Sequence, residues 1–300
     1  MATDHGATRS SITTHRPIVA EIIGGIGTSH VPAVGAALDK GRTEDPYWVP
    51  YFSKLQPARD WMAAAAPDVC IVVYNDHASA MSLEMIPTFA LGMADEFPVA
   101  DEGFGPRPVP SVLGHSELSW HLAESLILDE FDLTLMNELK VDHGLTVPLS
   151  VMFGQPSAWP CRVVPLCVNV VQYPPPTGHR CWRLGQAIRR AVHSFPGNER
   201  VVVFGTGGLS HQISGQRAGL INTVWDAAFL DRLVADPEAA ARIPHIEYLR
   251  EAGAEGIEMV MWLVMRGALS AEVDEVYRST HVPTSNTHNG LLVLDDRGRP

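Results

Sequence analysis

Short apolar runs that lead directly to a histidine constrain the fold of this chain more than any other feature. The run VCIVV at 69–73 continues into the polar stretch YNDH, which ends at His77. An apolar run without alternation is typical of a strand that is covered on both faces of a sheet. Similar runs lie shortly before His30 and His211. Because ligands bind beyond the carboxyl ends of strands in open α/β sheets, we expect these histidines to share one crevice, although each alone is also compatible with a turn or an interior position.

Predicted strands and helices alternate along the chain, which favours the α/β class. Strands are predicted at 18–26, from 69, at 147–153, 162–171, 200–204 and 291–294, and helices at about 57–66, 117–128, 181–194, 218–234 and 246–267. We expect one domain with a central, mostly wound sheet that is flanked by helices, and with its active site at the strand ends. Residues 1–18 are expected to form a flexible N-terminal tail, and 19–300 the single domain.

The charge and the apolar pattern exclude two classes of partner. The formal charge is 22 − 34 = −12, which argues against nucleic-acid binding because that function needs clustered Lys and Arg. No apolar segment has the length of a membrane span, and the N-terminus lacks the apolar core of a signal peptide. The four cysteines show no CxxC spacing, so free thiols in a reducing cytoplasm are expected.

Imidazole is the commonest metal ligand in proteins, and the histidines at the strand ends are therefore candidate ligands. Glu258 is a candidate third ligand, because it lies inside the apolar run EGIEMVMWLVM, where a carboxylate is costly unless it is paired or binds a cation. A buried pair with an arginine, or an exposed stripe on the helix, explains Glu258 equally well. Two histidines and a carboxylate are the ligands of non-haem Fe(II) oxygenases, and zinc hydrolases use the same ligand types. Composition does not separate these two metals.

Seven motifs together resemble the class III extradiol ring-cleaving dioxygenases, and among them the catalytic beta subunit of the protocatechuate 4,5-dioxygenases. The similarity extends from about residue 22 to the C-terminal strand. The motifs are TSHVPA around His30, YNDHAS around His77, DEGFGPRPVP at 101–110, VDHGLTVPLS at 141–150, GTGGLSHQ at 205–212, RAGLIN at 217–222 and REAGAEGIEMVMWLVMRGAL at 250–269.

The resemblance implies that residues 19–300 form an extradiol dioxygenase catalytic domain with an Fe(II) cofactor. It implies that the iron ligands are His30, His77 and Glu258. It further implies that His211 is the acid/base residue and that His143, which precedes the predicted strand at 147–153, is its catalytic partner near the oxygen. The implied reaction is the cleavage of protocatechuate between ring carbons 4 and 5 with O2, which yields 4-carboxy-2-hydroxymuconate semialdehyde.

The resemblance also implies substrate contacts and a partner. Ser285 and Asn286 are expected to bind the substrate carboxylate, although this chain reads PTSN where the family pattern is PASN. A small alpha subunit is expected to cover the active site in an α2β2 hetero-oligomer. In similar gallate dioxygenases this lid is fused to the chain, and nothing in these 300 residues resembles it, which counts against gallate as the main substrate. Gallate, methylgallate and a dihydroxyphthalate remain alternative substrates, and His281 and His288 receive no role.

Overall fold

The computed structural model describes residues 19–298, so the tail expected at 1–18 lies outside the described residues. Over the described range the strands are β1 Glu21–Thr28, β2 Val69–Tyr74, β3 Phe89–Gly92, β4 Glu96–Phe97, β5 Val112–Leu113, β6 Thr134–Met136, β7 Arg162–Val168, β8 Arg200–Thr206, β9 Val273–Thr284 and β10 Thr287–Asp296. The α-helices are α1 Pro32–Asp39, α2 Val49–Phe52, α3 Gln56–Ala65, α4 Ser116–Leu128, α5 His143–Phe153, α6 Gly178–Val192, α7 Thr223–Ala235, α8 Pro237–Ala241, α9 His245–Glu247 and α10 Val260–Ala268. None of the helices within 19–298 combines the length and the apolar character that crossing a bilayer would take.

Eight of the strands form one mixed sheet in the order β6-β3-β7-β2-β8-β1-β10-β9. The four central strands, β7, β2, β8 and β1, run parallel to one another. The hairpin of β9 and β10 adds two antiparallel strands beside β1, and β3 pairs antiparallel with β7. The expected single α/β domain with a central sheet and flanking helices is confirmed.

Helices cover both faces of the central strands, which explains why these strands show no polar alternation. The odd-numbered residues of β2 pack in a cluster with α6 and α10, whereas its even-numbered residues pack in a second cluster with α3 and α5. Every residue of β2 is buried. Because β1, β2 and β8 are adjacent and parallel, their carboxyl ends lie at the same edge of the sheet, and the segments that carry His30, His77 and His211 begin there.

The strand predicted at 147–153 is wrong, because these residues form the second half of α5. His143 is therefore the first residue of a helix and does not precede a strand. The ten residues from His143 to Met152 are all buried, so the apolar run has no periodicity that distinguishes a buried helix from a buried strand. Asp142 caps this helix, since its Oδ1 accepts the N–H of Gly144 at 2.8 Å.

The helix predicted at 246–267 is interrupted at Gly253. Tyr248–Ala252 form a π-helical turn, Glu255–Met259 form a 3₁₀ turn, and only then does α10 begin. Gly253 has a φ of 90°, and a Cβ atom there would lie 2.3 Å from the carbonyl oxygen of His211. Glu258 thus lies on the short 3₁₀ turn at the edge of the sheet where the histidines converge.

Two glycines allow α10 to pack directly on the sheet. Gly27 of β1 and Gly205 of β8 are partners in the strand register, and Trp262 of α10 lies over both. A Cβ atom at Gly27 would lie 2.3 Å from Cε3 of Trp262, and one at Gly205 would lie 2.7 Å from its Cα. The Trp262 side chain is fully buried, so it has no free space to move into.

We expect Gly27→Ala to lower the free energy of unfolding by about 1–3 kcal/mol, because the added methyl group overpacks the contact with Trp262. Urea denaturation of the metal-free protein measures this change. Val276→Ala on the outermost strand β9, where the side chain is 46% exposed, is the control and is expected to change the value by about 0.5 kcal/mol or less. Equal effects of the two substitutions would contradict the packing argument.

Candidate metal centre

One cleft at the carboxyl ends of β1, β2 and β8 brings together residues from six separate segments. Its volume is about 260 Å³. The ionisable residues in its wall are all those that the sequence indicated as ligands or acid/base groups, namely His30, His77, His143, His211 and Glu258. Glu258 is far from the histidines in the sequence, but the fold brings all five residues to one cleft.

Glu258 is buried, and its partners exclude both alternative explanations of this carboxylate. Within residues 19–298 its ion-pair partners are two histidines, with Oε2 at 3.5 Å from Nε2 of His30 and at 3.5 Å from Nε2 of His211. Oε2 also accepts the backbone N–H of Gly208 at 2.7 Å. Burial opposes ionisation, but His30 and His211 outweigh it and hold the pKa of Glu258 far below its ordinary value. The carboxylate is thus an anion that faces imidazole nitrogens.

His30 lies two residues beyond β1 and is held through its Nδ1 atom. Nδ1 forms a 3.0 Å hydrogen bond with the Thr206 hydroxyl, at the end of the adjacent strand β8. This bond leaves Nε2 directed at Glu258. Burial is the main cause that lowers the pKa of His30, and this direction favours the neutral ring that a metal ligand requires.

His77 is oriented by Asp142, a buried aspartate that the sequence did not indicate. Oδ2 of Asp142 accepts the backbone N–H of His77 at 2.7 Å and lies 2.9 Å from Nδ1. Nε2 is 3.1 Å from the side-chain nitrogen of Asn75. Burial lowers the pKa of His77, but the hydrogen bond to Asp142 outweighs it, and the net pKa is raised. A carboxylate behind a ligating imidazole is the usual outer-shell partner in metal sites.

His143 lies directly beside the candidate metal ligands, although the sequence resemblance implied only a catalytic role near the oxygen for it. Its ring centroid is 3.9 Å from that of His77. His30, His77 and His143 each offer one nitrogen within 4.8 Å of the other two. With Glu258 and His211 beside them, the cleft holds more donors than the three of a facial triad, so it can both ligate a metal and retain free imidazoles.

His211 is held in one tautomer by the backbone. Its Nδ1 is 2.7 Å from the carbonyl oxygen of Leu209. A carbonyl only accepts, so Nδ1 carries a proton and Nε2 is the nitrogen that faces the cleft. The backbone N–H of His211 donates to the carbonyl oxygen of Ala252 at 2.8 Å, which fixes the backbone from which the ring projects. This arrangement suits a residue that accepts a proton at Nε2.

The expected substrate residues lie on the two-residue turn between β9 and β10. Ser285 and Asn286 both have positive φ, 51° and 58°, as the mirror-image turns of β-hairpins require. Ser285 contributes to the cleft wall, and so does Thr287, which the sequence did not indicate. Asn286 lies beside Gly219, where an added Cβ would be 3.8 Å from its Oδ1.

The structure separates the two unassigned histidines from the cleft wall. His288 is buried, and its Nδ1 lies 2.6 Å from Oδ2 of Asp226. Asp226 also accepts the Ser210 hydroxyl at 2.5 Å. His281 is partly exposed and packs edge-on against Tyr51, with ring centroids 5.8 Å apart. Both therefore have structural partners of their own.

Much of the remaining wall of the cleft is apolar, and the donor set fits a divalent transition metal. Apolar contacts come from Val31, Pro32, Ala33 and Ile213, and no Lys or Arg lines the described wall. Imidazole and carboxylate are the ligand types of iron and zinc sites, and the Nδ1 atoms that face away from the cleft are already hydrogen-bonded. The donor set can thus hold a metal beside apolar side chains.

The family described as "catalytic LigB subunit of aromatic ring-opening dioxygenase" matches residues 24–290 of the chain. A gallate dioxygenase of Pseudomonas putida is 45% identical over 199 residues, which cover 66% of this chain and 58% of that protein. The chain thus spans less than two thirds of this relative.

Two further likenesses are more distant. A 2,3-dihydroxyphenylpropionate/2,3-dihydroxicinnamic acid 1,2-dioxygenase of Burkholderia vietnamiensis is 27% identical over 258 residues, with 71% of this chain and 79% of that protein covered. The crystal structure of an uncharacterized protein from Escherichia coli K12 superposes with a TM-score of 0.54 at 14% identity, and covers 91% of this chain and 99% of that one. The last likeness supports the fold alone.

We expect divalent metal binding at this cleft to release a proton and to weaken as the pH falls through the raised pKa of His77, because a metal binds only the neutral ring. Titration calorimetry with Co²⁺ in buffers of different ionisation enthalpy measures both effects. Asp142→Asn keeps an acceptor for the N–H of Gly144 but weakens the bond to His77. It is expected to lower affinity about 10–100-fold and to reduce proton release. The exposed His179→Ala is the control, and unchanged proton release in Asp142→Asn would refute the assignment.

Proposed function

Because the chain belongs to the family of catalytic LigB subunits of aromatic ring-opening dioxygenases, we propose that it is an Fe(II)-dependent extradiol dioxygenase of catechol carboxylates. The observation that carries the proposal is the ionised, buried Glu258, whose carboxylate lies 3.5 Å from two imidazole nitrogens without a Lys or Arg partner in the described chain. A buried anion in this environment is best balanced by a bound cation. The cleft also contains apolar side chains, which can contact an aromatic ring, and further imidazoles, which can accept or donate protons.

The proposed ligands are His30, His77 and Glu258, which leave His211 and His143 for acid/base work. Bound Fe(II) would supply a template that holds the catechol oxygens and O2 side by side. The ligands fit because Nδ1 of each histidine is engaged by Thr206 or Asp142. A metal held by only three protein ligands would retain coordination positions for substrates.

His211 is proposed to accept the proton of a catechol hydroxyl at Nε2 and to return it later to an oxygen of the opened ring. Its Nε2 atom already faces the cleft, since Nδ1 is committed to the carbonyl of Leu209. Imidazole is a common general acid and base in enzymes. His143, beside His77 in the same wall, is proposed to stabilise negative charge on oxygen through its own Nε2.

The proposed substrate is protocatechuate, cleaved between ring carbons 4 and 5 to 4-carboxy-2-hydroxymuconate semialdehyde. Support comes from the sequence resemblance and from Ser285, a residue with a hydroxyl group that lines the cleft wall. Gallate is the second candidate, because the relative at 45% identity is named a gallate dioxygenase. The two substrates differ by one hydroxyl group, and an apolar wall discriminates weakly against such an addition.

A small helical alpha subunit is the proposed partner, in an α2β2 assembly. Two large apolar side chains near the cleft support a covering protein: Ile213, in the cleft wall, is 64% exposed, and Phe104, two residues from the His143 contact Glu102, is 99% exposed. Apolar side chains exposed next to a site mark interaction surfaces. Excluding water from the site would strengthen its electrostatic interactions.

Oxygen uptake by anaerobically prepared, Fe(II)-loaded protein tests the proposed reaction. The panel comprises protocatechuate, gallate, methylgallate and a dihydroxyphthalate, each with and without the small subunit. We expect O2-dependent formation of yellow product, with the highest kcat/KM for protocatechuate. Equal or better turnover of gallate would replace protocatechuate as the substrate. Hydrolytic activity that requires zinc and no O2 would overturn the oxygenase assignment.

We expect His211→Ala and His77→Ala to fail in different ways. His211→Ala removes the proposed base, so this variant should retain iron, and its kcat should fall about 10²–10⁴-fold. His77→Ala removes a proposed metal ligand, so this variant should lose the iron itself. Iron content by atomic emission and steady-state O2 uptake give the two measurements, with His179→Ala as a matched histidine substitution at an exposed position. Normal turnover in His211→Ala would show that its assigned role is wrong.

A further inference from the structure

We propose that Glu102 is a positioning residue that holds the imidazole of His143 in one orientation and one tautomer. The catalytic part of this inference rests on the proposed function, whereas the structural part does not. Glu102 lies in the loop that joins β4 to β5, 41 residues from His143 in the sequence. Neither charge nor spacing in the sequence indicated it.

Both carboxylate oxygens of Glu102 bind the same residue. Oε1 lies 2.5 Å from Nδ1 of His143, and Oε2 accepts the backbone N–H of His143 at 3.0 Å. The first contact fixes the ring, and the second fixes the backbone from which the ring projects at the start of α5. Rotation of the imidazole away from the cleft would break the first bond and leave a partly buried carboxylate oxygen without its donor.

The contact also determines which nitrogen of His143 meets the substrates. An ionised carboxylate only accepts hydrogen bonds, so Nδ1 of His143 carries a proton and Nε2 is the atom left for the cleft. Asp142 acts on His77 in the same manner, through the ring and the backbone N–H. Two neighbouring imidazoles, 3.9 Å apart, are thus each clamped by a separate carboxylate. Supporting shells of this kind hold a reactive group in its productive geometry.

The loop that carries Glu102 is itself anchored at both ends of a short turn. Oδ1 of Asp101 accepts the N–H groups of Gly103 and Gly105, each at 2.9 Å. Arg107 then pairs with Asp39 at 2.8 Å. The position of Glu102 is therefore set by the fold. Phe104, at the tip of the turn, points into solvent and contributes nothing to this anchoring.

A double-mutant cycle tests whether Glu102 acts through His143. In the iron-loaded protein we expect Glu102→Ala to lower kcat about 10–100-fold, with little change in the KM for the catechol and with iron retained. Glu102→Gln is expected to be intermediate, because the amide keeps one acceptor. In the His143→Ala background the effect of Glu102→Ala should disappear. Two results would overturn the proposal. One is that Glu102→Ala lowers kcat as much in the His143→Ala background as in the wild type. The other is a wild-type kcat in the Glu102→Ala variant.

A second measurement does not depend on activity. In ¹H–¹⁵N spectra of the metal-free protein with labelled histidine, we expect His143 as the Nδ1–H tautomer, and we expect Glu102→Ala to abolish that state. Phe104→Ala, in the same loop, is the control and should leave the signal unchanged. An unaltered His143 signal in Glu102→Ala would refute the clamp. Inactivity of the wild type on every catechol would refute the proposed function while leaving the spectroscopic result decisive for Glu102.

Discussion

The ionised carboxylate of Glu258 in an otherwise apolar interior is the constraint on which the arrangement of the site depends. Its negative charge is stabilised by the N–H of Gly208 and by two imidazoles, and no permanently charged cation in the described part of the chain approaches it. Imidazole balances a carboxylate only when it is protonated, whereas a divalent metal balances it with neutral rings. The lowered pKa of His30 favours the neutral ring and thus the metal.

The sheet topology provides the convergence that this constraint requires. Three adjacent parallel strands place their carboxyl ends within one cleft, so residues far apart in sequence become neighbours. Gly27 and Gly205 let α10 approach the sheet closely through Trp262. The 3₁₀ turn before α10 then delivers Glu258 to the same edge. Close packing of α10 on the sheet and the position of Glu258 at this edge are therefore linked through the same two glycines.

The sequence predicted the α/β class and the residues of the cleft, and it failed where no local pattern exists. His30 and His211 were recognisable because each follows an apolar strand. The helix α5 was mistaken for a strand because it is buried all round and therefore shows no 3.6-residue period. The carboxylates behind the histidines were missed because they are partners only in space. Asp142 had one recognisable signal, its position before a helix as an N-cap, whereas Glu102 had none.

No Lys or Arg lines the described wall of the cleft, so the proposed substrate would meet this chain through hydrogen bonds and apolar contacts more than through a cationic side chain. The wall offers the hydroxyls of Ser285 and Thr287 and a set of apolar side chains, but no described Lys or Arg for a carboxylate. Neutral hydrogen bonds contribute less than charge-assisted ones, so an acid and its ester are poorly separated by such a wall. Strict selection between such compounds would therefore require groups from outside the wall. Because Ile213 is both part of the wall and largely exposed, a protein that covers it is well placed to provide them.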